Sequence, residues 1–255
     1  MLNLNPRFSK QVEPSLKVIL DDTENKLLFQ ALERFAEVLR RYGHIVSIYS
    51  TGSLLKLSDT TSEKKTAIRT FFENLADWME PEAGSPEIIK VDLEKEKTFL
   101  RRAFNHHSLW MHEDFWNTLT EGQVIEFYGT DGVQLYRNIN FFDFCSYSLL
   151  DISVFEWYNL WQRPSQIQEQ MNRDALKVFS TATPVMQYKV PRHVLREVKP
   201  PSMEIEEHPP LACLVQFKYA GSLFKGVDPR PAGAIATSEA EVIAVGEEAR
   251  TIHFV

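Results

Sequence analysis

The stretch Val124–Asn138 reads VIEFYGTDGVQLYRN, and it decides the character of the chain. Two β-branched and aromatic runs, Val124–Tyr128 and Val133–Arg137, flank Gly129-Thr130-Asp131-Gly132. Asp-Gly accepts the positive φ that tight hairpin turns demand, so the stretch predicts an antiparallel hairpin. Downstream, Phe141 to Ser180 reads as several short helical pieces rich in aromatics. The last carries Ile167, Met171, Ala175, Leu176 and Phe179 on one side, with Ser165 and Gln168 spaced as a capping pair. From Pro184 onward the chain turns β-rich. Leu211–Tyr219 alternates in period two, and Gly233–Val245 and Thr251–Val255 read as further strands separated by Gly246-Glu247-Glu248. Between them, Lys199–Pro210 holds Pro200, Pro201, Pro209 and Pro210 and reads as a linker.

Upstream of the hairpin the texture is helical. Leu16–Leu20 is a short strand candidate, followed by Asp21 and Glu24 in capping-box spacing. The next helix carries Leu27, Leu28, Ala31, Leu32, Phe35, Val38, Leu39 and Tyr42 at helical spacing and stops at Gly43. His44–Ser50 is β-branched and aromatic and reads as a strand. A second amphipathic helix starts near Thr60 and presents Ala67, Ile68, Phe71, Phe72, Leu75, Trp78 and Met79. Pro81–Pro86 breaks it, Ile88–Val91 is a further strand candidate, and Leu93 to His107 is a connecting helix. The expectation is an α+β chain in three parts: an N-terminal α/β helical module (1–92), a connecting helix and junction (93–120), and an antiparallel sheet with short flanking helices (121–255).

Composition narrows the function. The formal net charge is -7, from 35 acidic and 28 basic residues, with no dense Lys/Arg stripe. Such a surface repels phosphate backbones, so nucleic acid is not an expected partner. Cys145 and Cys213 are the two cysteines, each in an apolar run, and read as buried reduced thiols. Met1 to Lys10 lacks the apolar core of a signal peptide, and no run approaches the length of a membrane span. A cytoplasmic protein without membrane contact is expected.

The order hairpin, short helices, longer helix and antiparallel meander over residues 121–255 resembles a PAS domain, a sensory and dimerisation module. The residues that carry the resemblance are Val124–Asn138 and FFDFCSYSLLDI, Phe141–Ile152, in which Ser146-Tyr147-Ser148-Leu149 stands where PAS domains open a helix. Cys145 sits in Phe144-Cys145-Ser146-Tyr147, not in the Asn-Cys-Arg-Phe of flavin photosensors, so a covalent flavin adduct is not implied. The chain's end reads as strand instead of the family's amphipathic output helix, so a signal is expected to leave through the N-terminal module or a sheet surface. The resemblance implies sensing or protein contact, a homodimer, a small-molecule ligand or a protein partner, and leaves the cofactor unassigned.

Two side-chain constellations bear on chemistry. Aromatics cluster through Phe127–Trp161, and a PAS-like arrangement would enclose a pocket between the sheet's inner face and the short helices. Phe127, Tyr136, Arg137, Phe144, Tyr147 and Trp157 are the candidate ligand contacts; the alternative is that these rings fill the core. The second constellation is His106, His107, His112, Glu113 and Asp114 in HHSLWMHEDFW. Its spacing is poor for joint metal ligation and lacks His-Glu-x-x-His, so no metal site is expected. Gly-x-Gly-x-x-Gly, the P-loop pattern and Gly-x-Ser-x-Gly are all missing, and no catalytic residue is assigned. The reading is a non-catalytic signalling protein. Its alternatives are an enzyme using the His106–Asp114 segment with His193 or His208, and a scaffold subunit of a larger complex.

Overall fold

The computed structural model describes Ile19 and residues 22–81, 88–199, 209–252 and 254. The Leu16–Leu20 strand candidate (apart from Ile19), Asp21, most of Pro81–Pro86, most of the proline linker and His208 lie outside the described residues.

Helices build the first part. α1 (Thr23–Arg41) starts at Asp22, whose carboxylate accepts from Asn25 N at 3.0 Å, so the cap falls one residue after the expected Asp21. α2 (Thr51–Ser58) is capped by Ser50, and α3 (Ser62–Met79) by Thr61. Leu28, Leu32, Phe35 and Leu39 of α1 are all but fully buried, as are Phe72, Leu75 and Met79 of α3. Phe35 and Phe72 meet at 5.5 Å between ring centres, and Arg34 reaches Asp77 and Glu80 at 2.6 Å across the outer side of the pair. α4 (Leu93–His107) follows with Asp92 as its cap.

His44–Ser50 is extended but joins no sheet. Its Ser47 and Ile48 carbonyls accept from Leu149 N and Leu150 N at 2.9 Å, while Ile45 stands exposed, so the β-branched run is used as a two-bond clasp. Ile88–Val91 is likewise no strand: Ile89 N donates to Arg41 O at 2.8 Å and its side chain drops into the core. In both, local propensity is overridden because no neighbouring strand offers a complementary edge.

The rest is an antiparallel sheet with strand order β3-β2-β8-β7-β6-β4. Its strands are β1 (Leu109–Met111), β2 (Val124–Gly129), β3 (Gln134–Arg137), β4 (Trp161–Gln162), β5 (Met186–Gln187), β6 (His193–Glu197), β7 (Leu211–Lys225) and β8 (Gly233–Val245). The β2–β3 hairpin is where the sequence places it, with Gly132 at φ 77 in the turn. β7 outruns its expected end at Tyr219. One of its edges pairs with β8, and the other is divided among β6, β5 and β1. Phe115, in the short helix α5 (Glu113–Trp116), lies so close to Gly221 that a Cβ there would sit 2.7 Å from its ring, so this point of β7 requires glycine.

Between β3 and β6 run a 3₁₀ turn (Ile139–Asp143), α6 (Asp151–Val154), α7 (Trp157–Leu160) and α8 (Ser165–Ser180). α8 has Pro164 at its cap without a side-chain hydrogen bond; Ser165 is already helical, so the expected Ser165–Gln168 cap is not made. Its inner stripe is Met171, Ala175 and Val178. Val178 is fully buried against Ala220 and Ala234, whereas Leu176 is 68% exposed because the helix rests on the sheet by a narrow contact. The described residues of the expected strand Thr251–Val255, which are 251, 252 and 254, are not in a strand. Glu247–Thr251 is a short helix, α9, favoured by Glu and Ala and by acidic residues in its first turn. Gly246, at φ 67, ends β8, and Ala249 buries against Ala212 and Ala244.

One apolar cluster runs from Leu28 through Leu100, Phe127, Tyr136 and Leu223 to Ile235, so helices and sheet share a core and the fold class is α+β. At its centre Tyr136 donates its hydroxyl to Glu96 Oε1 at 2.6 Å, and Glu96 Oε2 has no hydrogen-bond partner among the described residues. Burial pushes the Glu96 carboxyl up to about 7, against smaller opposing effects of the Tyr136 hydroxyl and of the nearby Asn138 amide. The unfolded chain ionises near the ordinary value, so this group's stabilisation is full below that pH and is lost as pH rises toward about 7. Denaturant unfolding measured on either side of that window is expected to fall by on the order of 3 kcal/mol for this group with rising pH. Glu96→Gln is expected to flatten the slope.

Candidate functional site

The site is a cavity of about 510 Å³ between α8 and the sheet, with α6, α7 and the loop around Phe144 closing one end. Period two in the strands explains it. Ala234, Ala236, Ser238 and Ala240, every second residue of β8, face it, and Ala236 is opposite Ala220 across the sheet. Small side chains at these positions leave room that α8 does not fill. Around them stand Phe141, Phe155, Trp157, Trp161 and Phe179, with Phe217 beside Ser238 on the neighbouring strand. A few-hundred-Å³ space with aromatic walls and a set of polar groups at its border has the form of a small-molecule site.

The same alternation sorts the candidate contacts. Glu126 is paired with Arg137 in register and Phe127 with Tyr136, on opposite faces. Arg137, Phe144 and Trp157 line the cavity. Phe127 and Tyr136 do not; they stack at 5.3 Å on the far face, within the core shared with α4. Tyr147 also lies outside. It is buried behind Trp161, edge-on at 5.2 Å, and donates its hydroxyl to Leu160 O.

The polar groups of the cavity are of two kinds. Arg137 Nε donates to Glu126 Oε1 at 2.8 Å, Gln134 Nε2 donates to the same oxygen at 2.9 Å, and the Arg137 guanidinium lies 3.8 Å above the Phe141 ring. Burial opposes the Arg137 charge, but Glu126 and Tyr128 outweigh it and hold its pKa above the ordinary value. This pair satisfies itself. Arg163 does not: among the described residues its Nε is buried without a partner and its Nη1 has the Met171 thioether sulfur as its hydrogen-bond contact, at 2.6 Å. Its guanidinium lies 4.9 Å from the Trp157 ring and 5.4 Å from the Phe217 ring. Burial lowers its pKa to about 10, partly offset by Glu126, so it remains a cation at neutral pH. Burial likewise raises the pKa of Tyr128 and Tyr188, so both phenols stay neutral donors at the cavity wall.

Beside the cavity, Glu197 pins three segments. It accepts from Ser146 N at 2.8 Å, from the Ser146 hydroxyl, and from Leu211 N at 2.8 Å, while Lys199 Nζ lies 3.8 Å away and 3.7 Å above the Tyr147 ring. Burial raises the pKa of Glu197 and lowers that of Lys199. Cys145 and Cys213 are buried free thiols, and burial pushes the Cys213 thiol up to about 12, so neither is an activated nucleophile.

The histidine segment does not converge. His106 and His107 pack at 4.9 Å on each other and both against Trp78, whereas His112 caps α5 and lies 3.1 Å from Asp114. Among the described residues no three His, Cys, Asp or Glu side chains are grouped to hold a metal ion. No described helix is long and apolar enough to cross a membrane.

Sequence reasoning missed Glu126 and Arg163. A signal was present for the first, since a carboxylate interrupts the apolar run VIEFY at the position facing Arg137. Arg163 lies between Trp161 and Pro164 and carries no periodic mark; only tertiary packing brings Phe217 beside it. If Phe127 is core and not cavity wall, Phe127→Ala is expected to lower unfolding free energy by about 3–5 kcal/mol in denaturant titration. Phe144→Ala, at the cavity rim, is expected to cost less. Comparison of the chain with protein-family models, with curated proteins and with solved structures finds no match, so function is inferred from the geometry of the cavity.

Proposed function

We propose that residues 121–255 are a PAS-like sensory module that holds a small molecule in the cavity under α8 and reports its presence to the N-terminal helices. The observation that carries this reading is the cavity itself: about 510 Å³, walled by aromatics, with small residues at every second position of β8. The order of hairpin, short helices, α8 and the β6–β7–β8 meander supports the PAS-like resemblance. A route for the report is also in place. Arg137 faces the cavity, and its neighbour Tyr136 reaches through to Glu96 of α4, while Phe104 of α4 packs on Phe127 at 5.2 Å between ring centres. A ligand that reorders the hairpin therefore acts directly on α4. Nothing in this mechanism requires bond chemistry, in keeping with a binding protein.

Native mass spectrometry of freshly purified protein, compared with the denatured mass, is expected to show a non-covalent adduct. Ala236→Trp, which fills the cavity, is expected to remove the adduct while retaining a cooperative unfolding transition, at a stability cost of about 1–3 kcal/mol. An adduct that survives Ala236→Trp unchanged would place the ligand elsewhere and sink the proposal.

A further inference from the structure

We infer that the molecule taken up by the cavity is an organic carboxylate with an apolar body, and that Arg163 receives its carboxylate. The inference rests on the ligand-binding reading and adds the chemistry of the ligand.

Four charged side chains border the cavity: Glu126, Arg137, Glu156 and Arg163. Glu126 and Arg137 are joined at 2.8 Å. Glu156 is exposed to solvent and lies 3.9 Å from Lys64. Among the described residues Arg163 alone of the four has no oppositely charged partner, and its Nε, shut from solvent without an acceptor, is costly to leave unmet unless a ligand completes it. Trp157 and Phe217 lie within cation–π range of it, an attraction made through the ring faces. The N–H donors lie in the guanidinium plane, in a fork that matches a carboxylate's two oxygens. Among the described residues one unpaired positive charge borders the cavity, and it balances one negative charge. A phosphate dianion would leave an uncompensated charge against apolar walls, so a carboxylate is the better match. The remaining lining, dominated by Phe141, Phe155, Phe179, Met171 and the β8 alanines, takes the apolar body.

The test is isothermal titration of the full chain with naphthaleneacetate and decanoate and with their neutral primary amides, on the wild type, Arg163→Met and Arg163→Lys. The expected result is that at least one acid binds the wild type more tightly than its amide. Arg163→Met should weaken that acid roughly tenfold to a hundredfold and leave the amide unchanged. Arg163→Lys, which keeps the charge without the planar fork, should fall between them and serves if the methionine variant does not fold. Selective uptake of naphthaleneacetate assigns an aromatic body and of decanoate an aliphatic one; either supports the inference. Amides that bind as tightly as the acids, or acids and amides weakened alike by Arg163→Met, overturn it while leaving the cavity a binding site. Titrations in which no probe binds overturn both this inference and the ligand-binding reading.

Discussion

The β2–β3 hairpin is a partition, and the rest of the molecule is arranged by what each of its faces meets. A strand sends successive side chains to opposite sides, so one cross-strand pair, Phe127 with Tyr136, must face away from the next, Glu126 with Arg137. The aromatic pair enters a core built with α1, α3 and α4, and the charged pair borders the cavity. A slip of one residue would bury an ion pair among the helices and turn two aromatic rings toward the cavity. The turn at Asp131-Gly132 holds the register, and so does Asn138, whose side chain accepts from Ile125 N at 3.0 Å and donates to Gln123 O at 2.8 Å.

That the charged face borders a space and not a packed core follows from side-chain size. β8 presents alanine and serine at alternate positions where a close-packed interior would carry branched or aromatic residues. α8 meets the sheet mainly through Val178, and the connection after it is tied down by Ser222, whose hydroxyl lies 2.7 Å from Val178 O and accepts from Thr183 N at 3.0 Å. The helix is held at one end, and the gap along its remaining length is the cavity. Glu197, bonded to Ser146 and Leu211, secures the opposite wall by joining the loop before α6 to β6 and β7. The cavity is therefore framed by two polar fastenings in an otherwise apolar setting. Such fastenings fix position well because a buried polar group that loses its partner is penalised by the full cost of its desolvation.

Electrostatics inside the frame are uneven. Glu126, Arg137 and Gln134 complete one another, and their hydrogen bonds run within the hairpin. Arg163 enters from the segment before α8 and finds aromatic faces and a thioether in place of an acceptor. On the opposite side of the sheet Glu96 is also incompletely satisfied, with one oxygen held by Tyr136 and the other bare. These two unmet groups lie on different faces of the same hairpin region, and the single layer of β2 and β3 separates them.

Much of the architecture is legible in the sequence. The hairpin follows from Gly129–Gly132 between two alternating runs, the long helices from apolar residues at helical spacing with Asp, Ser or Thr ahead of them, and β8 from its β-branched content. These are local signals, determined by residues within a turn or two of one another. His44–Ser50, Ile88–Val91 and the described residues of Thr251–Val255 carry strand-like composition yet form no strand, because strand formation needs a partner edge that composition does not report. The site divides in the same way. Arg137, Phe144 and Trp157 could be named from sequence, but Phe127, Tyr136 and Tyr147 share their composition and point elsewhere. Sequence by itself determined which segments are amphipathic and in what order they come. Which face meets helix and which meets open space, and that Arg163 comes to lie between Trp157 and Phe217, was decided only by the tertiary structure. Both depend on side chains far apart in the chain, and no local pattern encodes their distance.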